Sequence, residues 1–528
     1  MSTTTVSNVS SNRGWLSHAM DSNVLHSSIP PTLSLIVVIC VSATLVGHVL
    51  SNKSHISGSK IPLLNNSTAE YLSNCRGLIE KGIAQHAGRP FKLWTGMGAM
   101  IILPANYHEE IRNDVRVDRT EALIHFSLGH IPGMDAYKAL TTKLAYDVVK
   151  IYFTPRRTCK LPWVFPHRLR QISTEIEAAL KELWTDSNDW HSISLKNSIV
   201  SVTSRTAGGM YLPQDLHHSK EWLQLTQDYL VKSGTAKRAL RRYPKFLHRC
   251  VHWFLRDFRE LRKIMVKARG ILAPIVEARK INDEETKPDD ALQWLEELSG
   301  KMGTTFDAAP YMIGLSFASN MTVTDVVMQS LLDLCTHPEY IEPIREEMTT
   351  VISSHSTGAA MPALKLLDSA IKESTRIKPI FLALARNTVQ DMTLSDGTFV
   401  PAHTHMALSC ERPLDPDVYR DPRTYDPYRF LRIRETLGSP GAGDGQAQLA
   451  SSSSAAVPHS LFGFGHHVCP GRFYGAHFAK LLVYHVLDKY DVRLGDGEKG
   501  IRSSVAPVSF GLNEMANASA KIMVRRRR

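Results

Sequence analysis

Twelve residues near the C-terminus, Phe462-Gly-Phe-Gly-His-His-Val-Cys-Pro-Gly-Arg-Phe473, constrain this chain more than any other stretch. One cysteine, Cys469, is bracketed by glycines and a proline and followed at once by a helical pattern from Arg472 to Leu487. Glycine has no Cβ, so Gly465 and Gly471 let backbone amides come close to the sulfur. A helix that begins just after a cysteine sets the positive end of its macrodipole beside the sulfur and favours thiolate over thiol. An inert buried thiol is the commoner fate of a lone cysteine in a tight turn. What separates the two readings is the spacing Phe-x-x-Gly-x-x-x-Cys-x-Gly.

The rest of the chain is compatible with a large enzyme. Of 528 residues, 43% are apolar and 21% charged, which excludes a disordered or collagenous chain. Length allows about three domains or one large one. The seven cysteines are odd in number, widely spread and without a CxxC pair, which argues against a disulfide framework, a zinc ribbon or an iron–sulfur site. From about residue 170 to 380, apolar residues recur at helical spacing. Residues 311–337 lie between Pro310 and Pro338 and leave room for one long apolar helix, the spine of the fold. A further helix opens at Pro338, with acids in its first turn. Strand signals are few: Ala383 to Leu394, a turn at Ser395-Asp-Gly397 and Thr398 to Val400 predict a hairpin. Residues 438–458, rich in Gly, Ser and Ala, predict a flexible insertion. The expected class is mainly α (α+β), helix-rich with small β-sheets.

Leu33 to Leu50 is an 18-residue apolar run without Asp, Glu, Lys or Arg. At roughly 1.5 Å per residue it nearly spans a hydrocarbon core of about 30 Å. A cleavable signal peptide would have a shorter apolar region nearer residue 1. Lys53 and Lys60 follow the run, so the positive-inside bias puts the remainder of the chain in the cytosol. The expected organisation is a lumenal tail at 1–32, a transmembrane anchor at 33–50 and one catalytic domain at 51–528.

The cysteine loop resembles the haem-binding loop of the cytochrome P450 monooxygenases. Two further segments are similar to that family's signatures and stand in its order. Glu373-Ser-Thr-Arg376 resembles its Glu-x-x-Arg pair, whose side chains share a helix face. Pro427-Tyr-Arg429-Phe430 resembles the segment whose arginine completes a buried triad, so Glu373, Arg376 and Arg429 are expected to be structural. The resemblance covers about residue 60 to the C-terminus. It implies haem b with Cys469 as the axial thiolate, able to activate dioxygen for attack on C–H bonds. Phe462 would shield the sulfur, and His467 and Arg386 would hold the propionates. Ala318-Ser-Asn-Met-Thr322 stands where relatives carry Ala-Gly-x-Asp/Glu-Thr, the pair that hands protons to dioxygen. Thr322 matches, whereas Ser319 replaces the glycine and Met321 the acid, which puts the usual relay in doubt.

Several stretches, among them Leu366-Leu-Asp-Ser-Ala-Ile-Lys-Glu373 and Cys469-Pro-Gly-Arg-Phe, resemble the fungal secondary-metabolism branch with gibberellin-type diterpenoid oxidases. That implies a bulky apolar terpenoid or meroterpenoid substrate, with Ile380 to Ala385 lining its pocket. It also implies an endoplasmic-reticulum protein taking electrons from an NADPH-dependent flavoprotein, cytochrome P450 reductase. Arg432, Arg434, Arg472 and Lys480 could offer that partner a basic docking face. Two other chemistries stay open: a haem-thiolate isomerase or dehydratase needing no reductase, and a non-catalytic haem-binding sensor. The net charge of +11 has a local source, since residues 232–280 hold 15 Lys/Arg against three acids. Tyr243, Phe246, Trp253 and Phe254 interleave with them, a pattern suited to anionic lipid headgroups. No nucleic-acid motif accompanies the charge, so nucleic acid is not an expected partner.

Overall fold

A computed structural model describes residues 61–153, 164–281, 288–355, 357–437, 453, 462–495 and 505–528. Residues 61–528 form one unit and residues 1–60 a separate one. The predicted anchor at 33–50 and, apart from Ser453, the predicted insertion at 438–458 lie outside the described residues. Among the described residues, no helix is long and apolar enough to cross a membrane.

Helix α1 (Thr68–Ser73) starts where the Ser67 side chain accepts from the Glu70 amide. It leads to an antiparallel pair, β1 (Phe91–Thr95) and β2 (Gly98–Leu103), with Phe91 opposite Ile102. Strand β3 (Val117–Asp118) runs straight into α2 (Arg119–Ser127), because Asp118 is also the N-cap and accepts from the Thr120 amide. The short α3 (Asp135–Ala139) follows. Beyond β4 (His191–Ser194) the chain is helical through α4 (Leu195–Ala207), α5 (Lys220–Leu240) and α6 (Arg256–Ile281).

The spine is α7 (Ala308–Thr336), 29 residues long. It begins three residues before the expected start because Asp307 caps it, accepting from the Ala309 amide. Pro310 then falls in the first turn, where its missing amide has no intrahelical partner to lose. The helix ends at Thr336, ahead of His337 and Pro338. It packs against α3, α4, α8 (Lys365–Ile377) and α9 (Arg472–Lys489), burying Met312, Ile313, Val327 and Leu331 completely. Its seam with α4 is polar: Thr203 meets Thr324 at 2.8 Å, and Asn320 pairs with Thr203 and Ser204.

Strand β5 (Ala383–Thr388) does not belong to the predicted hairpin. The hairpin is shorter, β6 (Met392–Thr393) against β7 (Phe399–Val400), with Met392 opposite Val400 and Gly397 at φ +82° in the turn. Strand β5 instead pairs with β8 (His405–Ser409) and β3, giving a five-stranded sheet of order β1-β2-β8-β5-β3 in which only β2 and β8 are parallel. Its partners lie too far along the chain for local patterning to reveal. The C-terminal region adds β9 (Tyr490–Arg493), the pair β10 (Val508–Phe510) and β11 (Asn513–Met515), and β12 (Lys521–Arg526). Strand β12 joins β4 and β9 in a second sheet. The architecture is helix-rich with small β-sheets, as the sequence predicts.

Candidate active site

The cysteine loop is closed by one backbone hydrogen bond, from the Cys469 amide to the Phe462 carbonyl at 2.8 Å. Gly463 and Gly465 hold φ of +70° and +64°, a region that penalises any side chain. At Gly465 space is also short, since a Cβ would lie 2.0 Å from the Arg112 carbonyl oxygen. This glycine therefore serves the junction between the loop and the short helix His108–Ile111, where the His466 amide bonds Asn113 Oδ1 at 3.1 Å. Gly471 is different. It is the N-cap of α9 with φ −87°, and its amide points at the Cys469 sulfur.

Burial pushes the Cys469 thiol above its ordinary pKa, while Arg119, the Gly471 amide and Arg472 pull it down. Burial wins, so the helix terminus alone does not make the thiolate that the sequence reading expects. A cation bound at the sulfur would supply the missing stabilisation. Among the described residues, Cys469 is the one cysteine lining a cavity of about 630 Å³.

The same cavity takes Phe462 from the loop, Ala318 and Thr322 from α7, and Arg386 from β5. Of the run Ile380 to Ala385, every residue except Leu382 lines it. Thr322 Oγ1 donates to the Ala318 carbonyl at 3.0 Å, leaving its oxygen lone pairs available. Ser319 and Met321 are not among the lining residues. Ser319 turns to the Tyr211 hydroxyl at 2.9 Å and back-bonds to the Leu315 carbonyl at 2.9 Å. No Asp or Glu lines the cavity among the described residues.

Cations face it instead. Arg386 is buried, and burial lowers its pKa to about 10, with Arg119 adding repulsion. Its hydrogen bond goes to the neighbouring Ala385 carbonyl at 2.8 Å, and it forms no ion pair among the described residues. His467 Nε2 contacts the Val117 carbonyl at 3.3 Å and is held below its usual pKa by burial and then by Arg386. Arg119, at the first position of α2, is a lining residue that the sequence reading missed. A cation in a first helical turn opposes the macrodipole, and that misfit is the signal that could have found it. A thiol at one wall, with Arg119, Arg386 and His467 forming no ion pair among the described residues, fits a haem with two propionates.

The three expected core residues come together away from the cavity. Arg376 holds Glu373 through two bonds of 2.7 and 2.8 Å, and Arg429 reaches the same carboxylate at 3.0 Å. Arg376 also donates to the Pro413 and Pro422 carbonyls at 2.5 and 2.6 Å. The expected basic docking face does not form. Lys480 is buried and, with Arg434, is ion-paired to Asp368 at 2.9 and 3.1 Å. Arg472 bonds the Cys469 carbonyl and lies over the Phe473 ring. Only Arg432 is exposed, and it is paired with Asp426.

Residues 168–515 match the family described as Cytochrome P450. Cytochrome P450 monooxygenase ntnM of Nectria sp is 32% identical over 487 residues, covering 89% of each chain. Cytochrome P450 monooxygenase adrA of Penicillium rubens is 33% identical, covering 89% of this chain and 92% of its own length. Cytochrome P450 monooxygenase 1 of Gibberella fujikuroi is 32% identical and is covered over 98% of its length. Among solved structures, the retinoic acid bound cyanobacterial CYP120A1 shares the fold at a TM-score of 0.65 and 16% identity, over 89% of this chain and 100% of its own. With its thiol-bearing, cation-lined cavity, this chain belongs to the cytochrome P450 family of haem-thiolate monooxygenases.

Proposed function

We propose that this protein oxidises a bulky apolar terpenoid or meroterpenoid in a fungal biosynthetic pathway, at a haem held by Cys469. The observation that carries the reading is one cavity joining Cys469, the Thr322 hydroxyl, Arg119, Arg386 and His467, with no Asp or Glu among its described lining residues. Haem bound there supplies the activation of dioxygen and the oxidation of a substrate C–H bond. Arg119, Arg386 and His467 hold the propionates, and Phe462 covers the sulfur. Thr322 Oγ1 donates its hydrogen bond to the Ala318 carbonyl and can accept one from a water. Because no Asp or Glu lines the cavity among the described residues, water rather than a carboxylate is the hydrogen-bond partner left for Thr322. Apolar walls, including Leu123, Phe126, Val326 and Leu512, exclude bulk water and suit a terpenoid skeleton.

Electrons come from an NADPH-dependent flavoprotein reductase, and the run Leu33–Leu50 anchors the chain in the endoplasmic reticulum with residues 51–528 in the cytosol. The segment 232–280 rests on the membrane. In support, Trp253 is 53% and Phe254 81% exposed, with Tyr243 and Phe246 also exposed. A chain starting at residue 61 should bind anionic vesicles better than neutral ones; equal binding would remove this part.

The reading is tested with purified holoenzyme, reductase and NADPH on a terpenoid panel. The expected result is a thiolate-type Soret band of the reduced carbon monoxide complex and a product heavier by one oxygen atom. The band without product from any substrate would indicate a haem-binding sensor. Product formed from a peroxide without reductase would indicate an isomerase or dehydratase.

A further inference from the structure

Helix α5 ends in Lys237-Arg-Ala-Leu240, with Arg241 as its C-cap. Cations at a helix C-terminus complement the macrodipole and are ordinarily solvated. Arg238 fits that pattern, since it is exposed at the cavity mouth. Lys237 and Arg241 do not. Four residues apart, they share a helix face, and both are partly buried and line the cavity. Arg241 donates from Nη2 to the Phe126 carbonyl at 2.5 Å, while its Nε is buried without a partner. Burial lowers its pKa, with only the Tyr71 hydroxyl opposing. Lys237 Nζ lies 4.3 Å from the centre of the Tyr137 ring and donates to the Tyr137 hydroxyl at 3.2 Å.

Among the described residues, neither cation meets a carboxylate. Other cations of the same basic segment do: Lys263 pairs with Glu260, Lys267 with Glu221, Arg269 with Asp307 and Arg279 with Asp290. A charge withdrawn from water without a counter-ion is costly, so a cavity that collects such charges is built for an anion.

The haem does not account for them. Its two propionates fall to Arg119, Arg386 and His467, at the Cys469 end. Arg119 is the first residue of α2, whereas Arg241 bonds the carbonyl of Phe126, seven residues further along that helix. At 1.5 Å per residue the two ends are roughly 10 Å apart. The cavity therefore takes cations at two places along α2, Arg119 at its start and Arg241 beside Phe126.

We infer that the substrate is an apolar molecule carrying one carboxylate, which binds at Arg241 and Lys237 and leaves the far end of its skeleton toward Cys469. A guanidinium suits a planar carboxylate, and the ammonium of Lys237 adds a second charge. This inference rests on the cavity being the oxidation site proposed above. It adds that the oxidised carbon lies at the end of the skeleton away from the acid group.

The test uses the full-length holoenzyme and three probe pairs: abietic, farnesoic and hexadecanoic acids, each against its methyl ester, with binding read by the Soret spin-state shift and by equilibrium dialysis. At least one acid should bind about tenfold more tightly than its ester. Arg241→Gln should abolish that difference by weakening the acid alone, while Arg241→Lys keeps part of it. Retention of the thiolate-type carbon monoxide band shows that each variant is folded and loaded. If no acid outbinds its ester, or if Arg241→Gln weakens acid and ester alike, the inference is wrong. Farnesyl monophosphate outbinding farnesoic acid by about tenfold or more would overturn the carboxylate in favour of phosphate. A wild-type protein lacking the thiolate-type band would instead refute the haem-thiolate reading, independently of these affinities.

Discussion

Gly465 and Gly471 flank the same cysteine, yet they answer to different constraints. Gly465 combines a left-handed backbone with a 2.0 Å approach to the Arg112 carbonyl, so Gly465→Ala must move the loop or the helix against it. We expect a loss of stability of at least about 2 kcal/mol and weaker haem retention, read by thermal denaturation and haem content. Gly471 has φ −87°, and the nearest atom to an added Cβ is Val149 Cγ1 at 3.4 Å. Gly471→Ala should therefore change both readouts little. Thr322 supplies the one α7 hydroxyl that lines the cavity. Thr322→Ala should lower product formed per NADPH consumed by at least about tenfold, whereas Met321→Glu should leave that ratio near wild type. The motif identified Thr322 but could not show that Ser319 turns to Tyr211 and Met321 faces elsewhere, because rotation about a helix axis is set by its neighbours.

At the scale of elements, α8 is tied to the segment before α9 by a buried charge cluster. Glu373 and Arg376 are both completely buried, and Arg429 nearly so. Removing one member leaves an uncompensated charge in the core. Glu373→Ala should cost about 3–5 kcal/mol, seen as a lower urea midpoint, and loss of folded protein on expression is the extreme of the same outcome. A midpoint within about 0.5 kcal/mol of wild type would contradict this account. The i, i+3 spacing made the Glu373–Arg376 pair legible, since helix geometry alone brings those side chains together. The carbonyls of Pro413 and Pro422 that complete the site were not legible, being about 40 residues away in segments that local spacing does not connect to α8.

For the whole molecule, buried histidines set the acid limit. Burial lowers the pKa of both His108 and His485 to about 4, and both are under 5% exposed. In the unfolded chain each titrates near 6.5, so between about 6.5 and 4 the unfolded state binds more protons. Their contribution is complete above pH 6.5 and is lost as pH falls toward 4, at roughly 1.4 kcal/mol per proton per pH unit. The urea midpoint should fall steeply between pH 6.5 and 5, and His485→Gln should flatten that slope. An unchanged midpoint from pH 7 to 5 would count against the account.

The sequence by itself determined the family, the cysteine and the helix-rich class, because these are written in short motifs and helical periodicity that need only neighbouring residues. Tertiary structure decided what the charges do. Lys480 and Arg434, alike in sequence to docking residues, are spent on Asp368, while Arg119 at the start of α2 and Arg241 at the end of α5 face one cavity. Whether a cation is solvated, paired or left for a ligand depends on which distant segment covers it, and no local pattern encodes that.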